Sequence, residues 1–131
     1  VALSLIRFLL GQSAVLSANL WIIKPPNERI LPLHSDAAGI TLGAGQIAHV
    51  ANASWLCTDY EDADDGPTVL VPGSFRFGRG TLPHESDPLD TPFPVVPLQG
   101  KAGSLAIWHG GTWHGSIPRR RDGLRITLAQ N

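Results

Sequence analysis

Residues 103–129 read GSLAIWHGGTWHGSIPRRRDGLRITLA, two short strand-like runs joined through a Gly-rich bend and an Arg-rich turn, with His114 closing the bend. A segment punctuated in this way belongs to a sheet rather than a bundle of helices. In the second run Leu124, Ile126 and Leu128 share one face and Arg125 and Thr127 the other, because side chains alternate along a strand. A guanidinium held between apolar neighbours in a strand calls for an anion.

The same grammar runs through the rest of the chain. Residues 2–10, ALSLIRFLL, read as the end of a short helix stopped at Gly11. Residues 15–23 read as a strand with Leu16, Ala18, Leu20 and Ile22 on its apolar face, ended by Pro25, Pro26 and Asn27. Residues 30–34 form a short extended piece that delivers His34. The Gly-rich stretch 37–46 is a loop, and its GAG lacks the spacing and the lysine of a phosphate loop. Residues 46–58 are the longest strand candidate, with Ile47, His49, Ala51, Ala53, Trp55 and Cys57 on one side. The acidic run 59–66 does not match a calcium loop and reads as a solvated turn. Residues 67–75 give a strand and a Pro-Gly turn, and 76–93 a long surface loop of the kind that forms active-site rims. Short strands follow at 94–98 and 104–108. This pattern is all-β, a sandwich or barrel with little helix, and a metal site at a strand end would make it a jelly roll.

At 131 residues the chain is expected to be a single domain, residues 1–131. It starts at Val1 and stops at Asn131 directly after an apolar strand, which reads as a core truncated at both ends. A charged fraction of 16% and a net charge of -1 argue against nucleic acid as a partner. Arg7 interrupts the first apolar run, and nowhere is there a span of about 18 apolar residues for a bilayer, so no membrane partner is expected. Cys57 is the single cysteine, which excludes an internal disulfide. It is expected to be a small buried thiol, and a reducing, cytoplasmic location fits it. Oligomeric state is not legible.

His34 and Asp36 stand one residue apart, so on a regular strand both side chains reach one metal ion from the same face. With His114 they make the two-histidine, one-carboxylate set of non-haem iron(II) oxygenases, which leaves coordination positions open. His109, in the same WHG context, is the rival to His114, whereas His49 and His84 read as a strand and a loop histidine. Trp108 and Trp113 flank the bend as core or wall aromatics. Arg119, Arg120 and Arg121 read as a solvated hairpin tip, with attraction of an anionic substrate as the functional alternative.

Taken together, HSD at 34–36, SWLCTDYEDADDGPTVLVPGSF at 54–75 and the 103–129 segment occur in an order that resembles the phytanoyl-CoA dioxygenase family of iron(II)- and 2-oxoglutarate-dependent oxygenases. The resemblance covers about residues 15–129, and members are generally longer at both ends. It implies a double-stranded β-helix, a cupin-like jelly-roll barrel. It also implies iron ligands at His34, Asp36 and His114, a 2-oxoglutarate carboxylate on Arg125, and cosubstrate contacts from Ser116 and Trp55. This chain has Phe75 where many members have His, and Ser35 where some have Gln. The implied reaction uses dioxygen to hydroxylate a small organic substrate, releasing succinate and CO2. With Asp36 present, the position that halide takes in related halogenases is filled. The other reading is a non-catalytic cupin-type domain that binds a metal or ligand without turnover.

Overall fold

The structure, a computed structural model, describes residues 1–37, 39 and 47–131. Most of the Gly-rich stretch at 37–46, and the start of the strand expected at 46–58, lie outside the described residues. Among the described residues one α-helix, α1 (Ala2–Leu10), precedes eight strands: β1 (Asn19–Lys24), β2 (Leu31–His34), β3 (Ala51–Leu56), β4 (Thr68–Leu70), β5 (Val96–Pro97), β6 (Leu105–His109), β7 (His114–Ser116) and β8 (Arg125–Gln130). They form two four-stranded antiparallel sheets, ordered β1-β8-β3-β6 and β2-β7-β4-β5. This is the mostly β sandwich expected from the strand pattern, and it is consistent with the cupin-like fold that the resemblance implies.

Two strands are shorter than their apolar runs. β1 begins at Asn19 rather than at 15, and β3 ends at Leu56, so Cys57 leaves the sheet and its thiol is exposed rather than buried. The helix stops where Gly11 takes φ 91 and its N–H donates to Arg7 O, a conformation open to glycine. Ala2, Ile6, Leu9 and Leu10 make the half-buried stripe of α1, which lies against β3 and β6. Ala51 and Ala53, on the outward face of β3, are small enough to admit it and are buried.

The inner face of the first sheet is the polar one. The register aligns Lys24 with Arg125, Ile22 with Thr127, and Ser54 with Ala129, while Asn52 stands opposite Trp108. Arg125 and Thr127 are 3% and 2% exposed, whereas Leu124 is 49% exposed. The space between the sheets is therefore a polar-floored cavity, not an apolar core.

The apolar core lies behind the second sheet. Leu33, Val69, Val71 and Trp113 pack there with Phe93, Val95 and Ile117. The 76–93 segment, expected as an active-site rim, instead folds over this core. Phe77 and Phe93 meet the Trp113 ring at 5.1 and 5.4 Å, and Arg79 stacks on it at 4.9 Å. Arg79 also makes a two-pronged ion pair with buried Glu85, at 2.6 and 2.8 Å. Satisfying Trp113 takes precedence over lining the cavity.

Candidate metal centre and cavity

His34 ends β2 and His114 begins β7, and the two are paired across the ladder. The register slips between Leu31 and His34, a bulge that turns the end of β2 toward the cavity. Gly115 makes this possible: a side chain there would collide with the Leu31 carbonyl. Asp36 follows in the turn after β2, and its N–H donates to Gly110 O at 3.0 Å, tying this turn to the bend that precedes His114.

Ligand atoms of His34, Asp36 and His114 all lie within 4.8 Å of one another. His34 Nε2 is 3.5 Å from Asp36 Oδ1, and His114 Nε2 is 3.4 Å from Asp36 Oδ2. Each imidazole engages a backbone carbonyl two residues back through Nδ1, His34 with Pro32 O at 2.9 Å and His114 with Thr112 O at 3.0 Å. Donation there places the Nδ1 proton on the outside and leaves both Nε2 lone pairs facing the carboxylate, the arrangement that metal-ligating histidines use. Burial pushes His114 below its ordinary pKa, while the Asp36 carboxylate beside it pulls His34 up. Burial raises Asp36, but His34, His114 and the Asn52 amide outweigh it and hold the carboxyl below its usual range. Two imidazole nitrogens and one carboxylate, fixed from outside, are a donor set that fits a divalent metal.

The three residues open on a cavity of about 760 Å³, a size typical of small-molecule sites. Arg125, Lys24 and Ser116 also line it. Arg125 is buried, its Nη1 donates to Gly66 O, its guanidinium lies 5.3 Å from the Tyr60 ring, and its Nε–H finds no acceptor among the described residues. Lys24, buried beside it, donates to Ser116 Oγ at 3.0 Å and to the carbonyls of Ile117 and Arg29. Burial, then the Arg125 and Arg119 charges, push its pKa down to about 8. Among the described residues neither Lys24 nor Arg125 has a carboxylate within ion-pair distance. Two adjacent buried cations without a counter-ion make an anion site, since desolvated charge is costly until paired.

Lys24 was not marked by the sequence reading. Its signal was there in the phase of Leu20, Ile22 and Lys24, which puts the ammonium on the cavity face. Trp55 is placed elsewhere than the resemblance implied. It lies on the face of β3 opposite Asn52 and Ser54, and its indole donates to Gln130 Oε1 at 3.2 Å. The aromatic that lines the cavity is Trp108, edge-on to His114 at 5.3 Å. The rival His109 is next to Trp108 in β6 and so points to the other face, stacked on Phe75 at 4.9 Å and accepting from Gly111 N–H.

The basic turn is not a free cation patch. Arg119 is buried and bound to Asp65, and Arg121 pairs with Asp62 and Asp65 at 2.8 Å each. The acidic run is accordingly only partly solvated, with Asp65 capping Glu61 N–H from inside. Gly66, at φ 61 and pressed against the Arg119 backbone, is the residue that offers its carbonyl to Arg125. Among the described residues no helix is long and apolar enough to cross a membrane.

The sequence profile of the phytanoyl-CoA dioxygenase (PhyH) family matches residues 2–127. Dioxygenase af480 of Aspergillus fumigatus is 28% identical over 115 residues, which span 88% of this chain and 36% of that protein. Among solved structures, HygX from Streptomyces hygroscopicus with nickel and 2-oxoglutarate bound superposes with a TM-score of 0.78 at 17% identity, over 98% of this chain and 61% of its own. The non-heme monooxygenase ThoJ gives 0.77 at 23%, over 98% and 50%. EvdMO1 gives 0.73 at 25% identity, over 97% and 29%. The chain thus spans about a third of the curated relative. With nearly its whole length matched and the three donor side chains converging, the chain belongs to the phytanoyl-CoA dioxygenase family.

Proposed function

We propose that this chain carries the catalytic core of an iron(II)- and 2-oxoglutarate-dependent dioxygenase that hydroxylates a small organic substrate. The observation that carries the reading is one cavity holding both a His-carboxylate-His cluster and a pair of buried cations that have no carboxylate partner among the described residues. His34, Asp36 and His114 would hold the metal. Arg125 and Lys24 would take the far carboxylate of the cosubstrate, with the Ser116 hydroxyl between them and the metal ligands on the same face of β7. HygX, a structural neighbour, has been solved with iron, and with nickel, 2-oxoglutarate and hygromycin B.

When bound, iron(II) with 2-oxoglutarate and dioxygen supplies the oxidising power, yielding succinate, carbon dioxide and one oxygen atom for a substrate C–H bond. The protein's part is positional. Backbone carbonyls at Pro32 and Thr112 fix the imidazoles, Trp108 walls the site, and Arg125 and Lys24 orient the cosubstrate by its distal charge. Leu20 and Ile22, 56% and 40% exposed, leave the β1 side of the cavity open, and that openness favours a second reading, a domain that binds metal and keto acid without turnover.

Anaerobic titration with iron(II) and then 2-oxoglutarate tests the first reading through the visible charge-transfer band of a chelated keto acid. A band lost in Asp36→Ala, followed by oxygen-dependent succinate formation, supports the oxygenase. A band without succinate moves the binding domain ahead. Iron binding with no band removes the cosubstrate assignment.

A further inference from the structure

Asn52 sits on the inner face of β3, 5% exposed, and donates its amide N–H to Asp36 Oδ2 at 2.6 Å. Its own Oδ1 accepts from Asn131 Nδ2 at 2.6 Å, and that amide also lies 3.4 Å from Asp36 Oδ2. The chain of donors fixes which way the Asn52 amide faces, because the oxygen is already used by Asn131. On the strand, Asn52 stands between Ala51 and Ala53, which pack outward beneath α1, so its inward direction is set by the pleat.

A carboxylate beside a divalent ion can bind through one oxygen or both. Binding through both fills a coordination position that a chelating keto acid needs. Asp36 Oδ1 lies 3.5 Å from His34 Nε2 and Oδ2 3.4 Å from His114 Nε2, and the Asn52 amide on Oδ2 sets that rotation of the carboxylate. We propose that Asn52 is a positioning residue: by holding Asp36 Oδ2 it fixes the rotation of the carboxylate between the two imidazoles, and so sets how Asp36 meets the metal. Asn131 seconds it by fixing the Asn52 amide. This rests on His34, Asp36 and His114 holding the metal, and it assigns to Asn52 no contact with cosubstrate or substrate.

The test uses cobalt(II) under anaerobic conditions, whose visible absorption weakens as coordination number rises, with 2-oxoglutarate added second. Asp36→Ala controls the underlying reading: cobalt binding unaffected by that change removes the metal centre itself, and the proposal with it. With the centre established, Asn52→Leu, similar in size and without a donor, should weaken cobalt binding about 10- to 100-fold, the range for lost outer-shell partners. It should also change the visible absorption of the cobalt form and weaken the 2-oxoglutarate step further. A wild-type spectrum and keto-acid affinity in Asn52→Leu would overturn the proposal, since a residue that only fills space would leave both untouched. Where Asn52→Leu fails to fold, judged by circular dichroism, Asn131→Ala frees the Asn52 amide from outside the core. The same spectral shift, smaller in size, supports the proposal there, and an unchanged spectrum refutes it.

Discussion

Lys24 is the residue whose replacement separates stability from binding. Its ammonium is buried, and its pKa of about 8 stands against 10.5 in the unfolded chain. A depressed value means that the stability associated with a neutral amine is fully present above 10.5 and is lost as pH falls through about 8. At about pH 7 the folded protein therefore carries a cost of roughly 3 kcal/mol, which shrinks to about 1 kcal/mol near pH 10. Lys24→Met keeps the stem and removes the charge, at the expense of hydrogen bonds to Ser116 and Ile117 O worth about 1 kcal/mol in net terms. The variant should be more stable than wild type by about 2 kcal/mol near pH 7 and equal to it near pH 10, read from urea unfolding. The same change should weaken 2-oxoglutarate about tenfold or more, since a charged hydrogen bond is lost. A variant less stable than wild type near neutral pH, or one whose difference does not move with pH, would refute the assignment of Lys24 as an uncompensated buried cation.

The ligand assignment predicts that His114→Ala abolishes iron(II) binding in an anaerobic titration while His109→Ala, on the other face of β6, leaves it within about twofold. Arg125→Lys keeps a charge but loses the planar fork and the contact with Gly66 O, so 2-oxoglutarate affinity should fall about tenfold to a hundredfold with iron affinity unchanged; equal loss of both would make Arg125 structural. Gly115→Ala puts a methyl group against the Leu31 carbonyl and should cost about 2–3 kcal/mol in urea unfolding. Glu85→Gln should release the 76–93 segment from Arg79, seen as faster limited proteolysis there with metal affinity retained.

What could be read from the residues was periodicity and donor chemistry. Alternation in 124–128 separated Arg125 and Thr127 from their apolar neighbours, and the His34-Asp36 spacing brought two donors to one end of β2. Direction was harder. The apolar side of a strand is ordinarily the inner one, and here Ala51, Ala53 and Trp55 face outward while Asn52 and Ser54 face in. Trp55, which the resemblance puts at the cosubstrate, therefore stands on the outward face, and Asn52, a polar residue inside the run, stands on the cavity face. The long loop misled similarly: its Gly and Pro residues mark a surface connection, yet only tertiary contacts reveal that Arg79, Phe77 and Phe93 enclose Trp113. For Cys57, the error was one of length, since the apolar run continues past the last ladder position at Leu56.

A sandwich that gives its interior to an open cavity must find its stability elsewhere, and the two sheets solve this differently. The second packs its outer face on Trp113 and the strap at 76–93, so His114 and Ser116 project from a strand anchored from behind. The first is covered by α1 over β3 and β6, but on β1 Trp21 and Ile23 remain 62% and 57% exposed on the outward face. Packing from behind is thus closest under the proposed metal ligands and sparsest on the outer face of β1. That gradient suits the proposed chemistry: a metal demands ligands fixed to within a fraction of an ångström, whereas a carboxylate paired with two cations tolerates movement. The costly buried charges of Lys24 and Arg125 are in this sense a store of binding energy, released only when an anion arrives between the sheets.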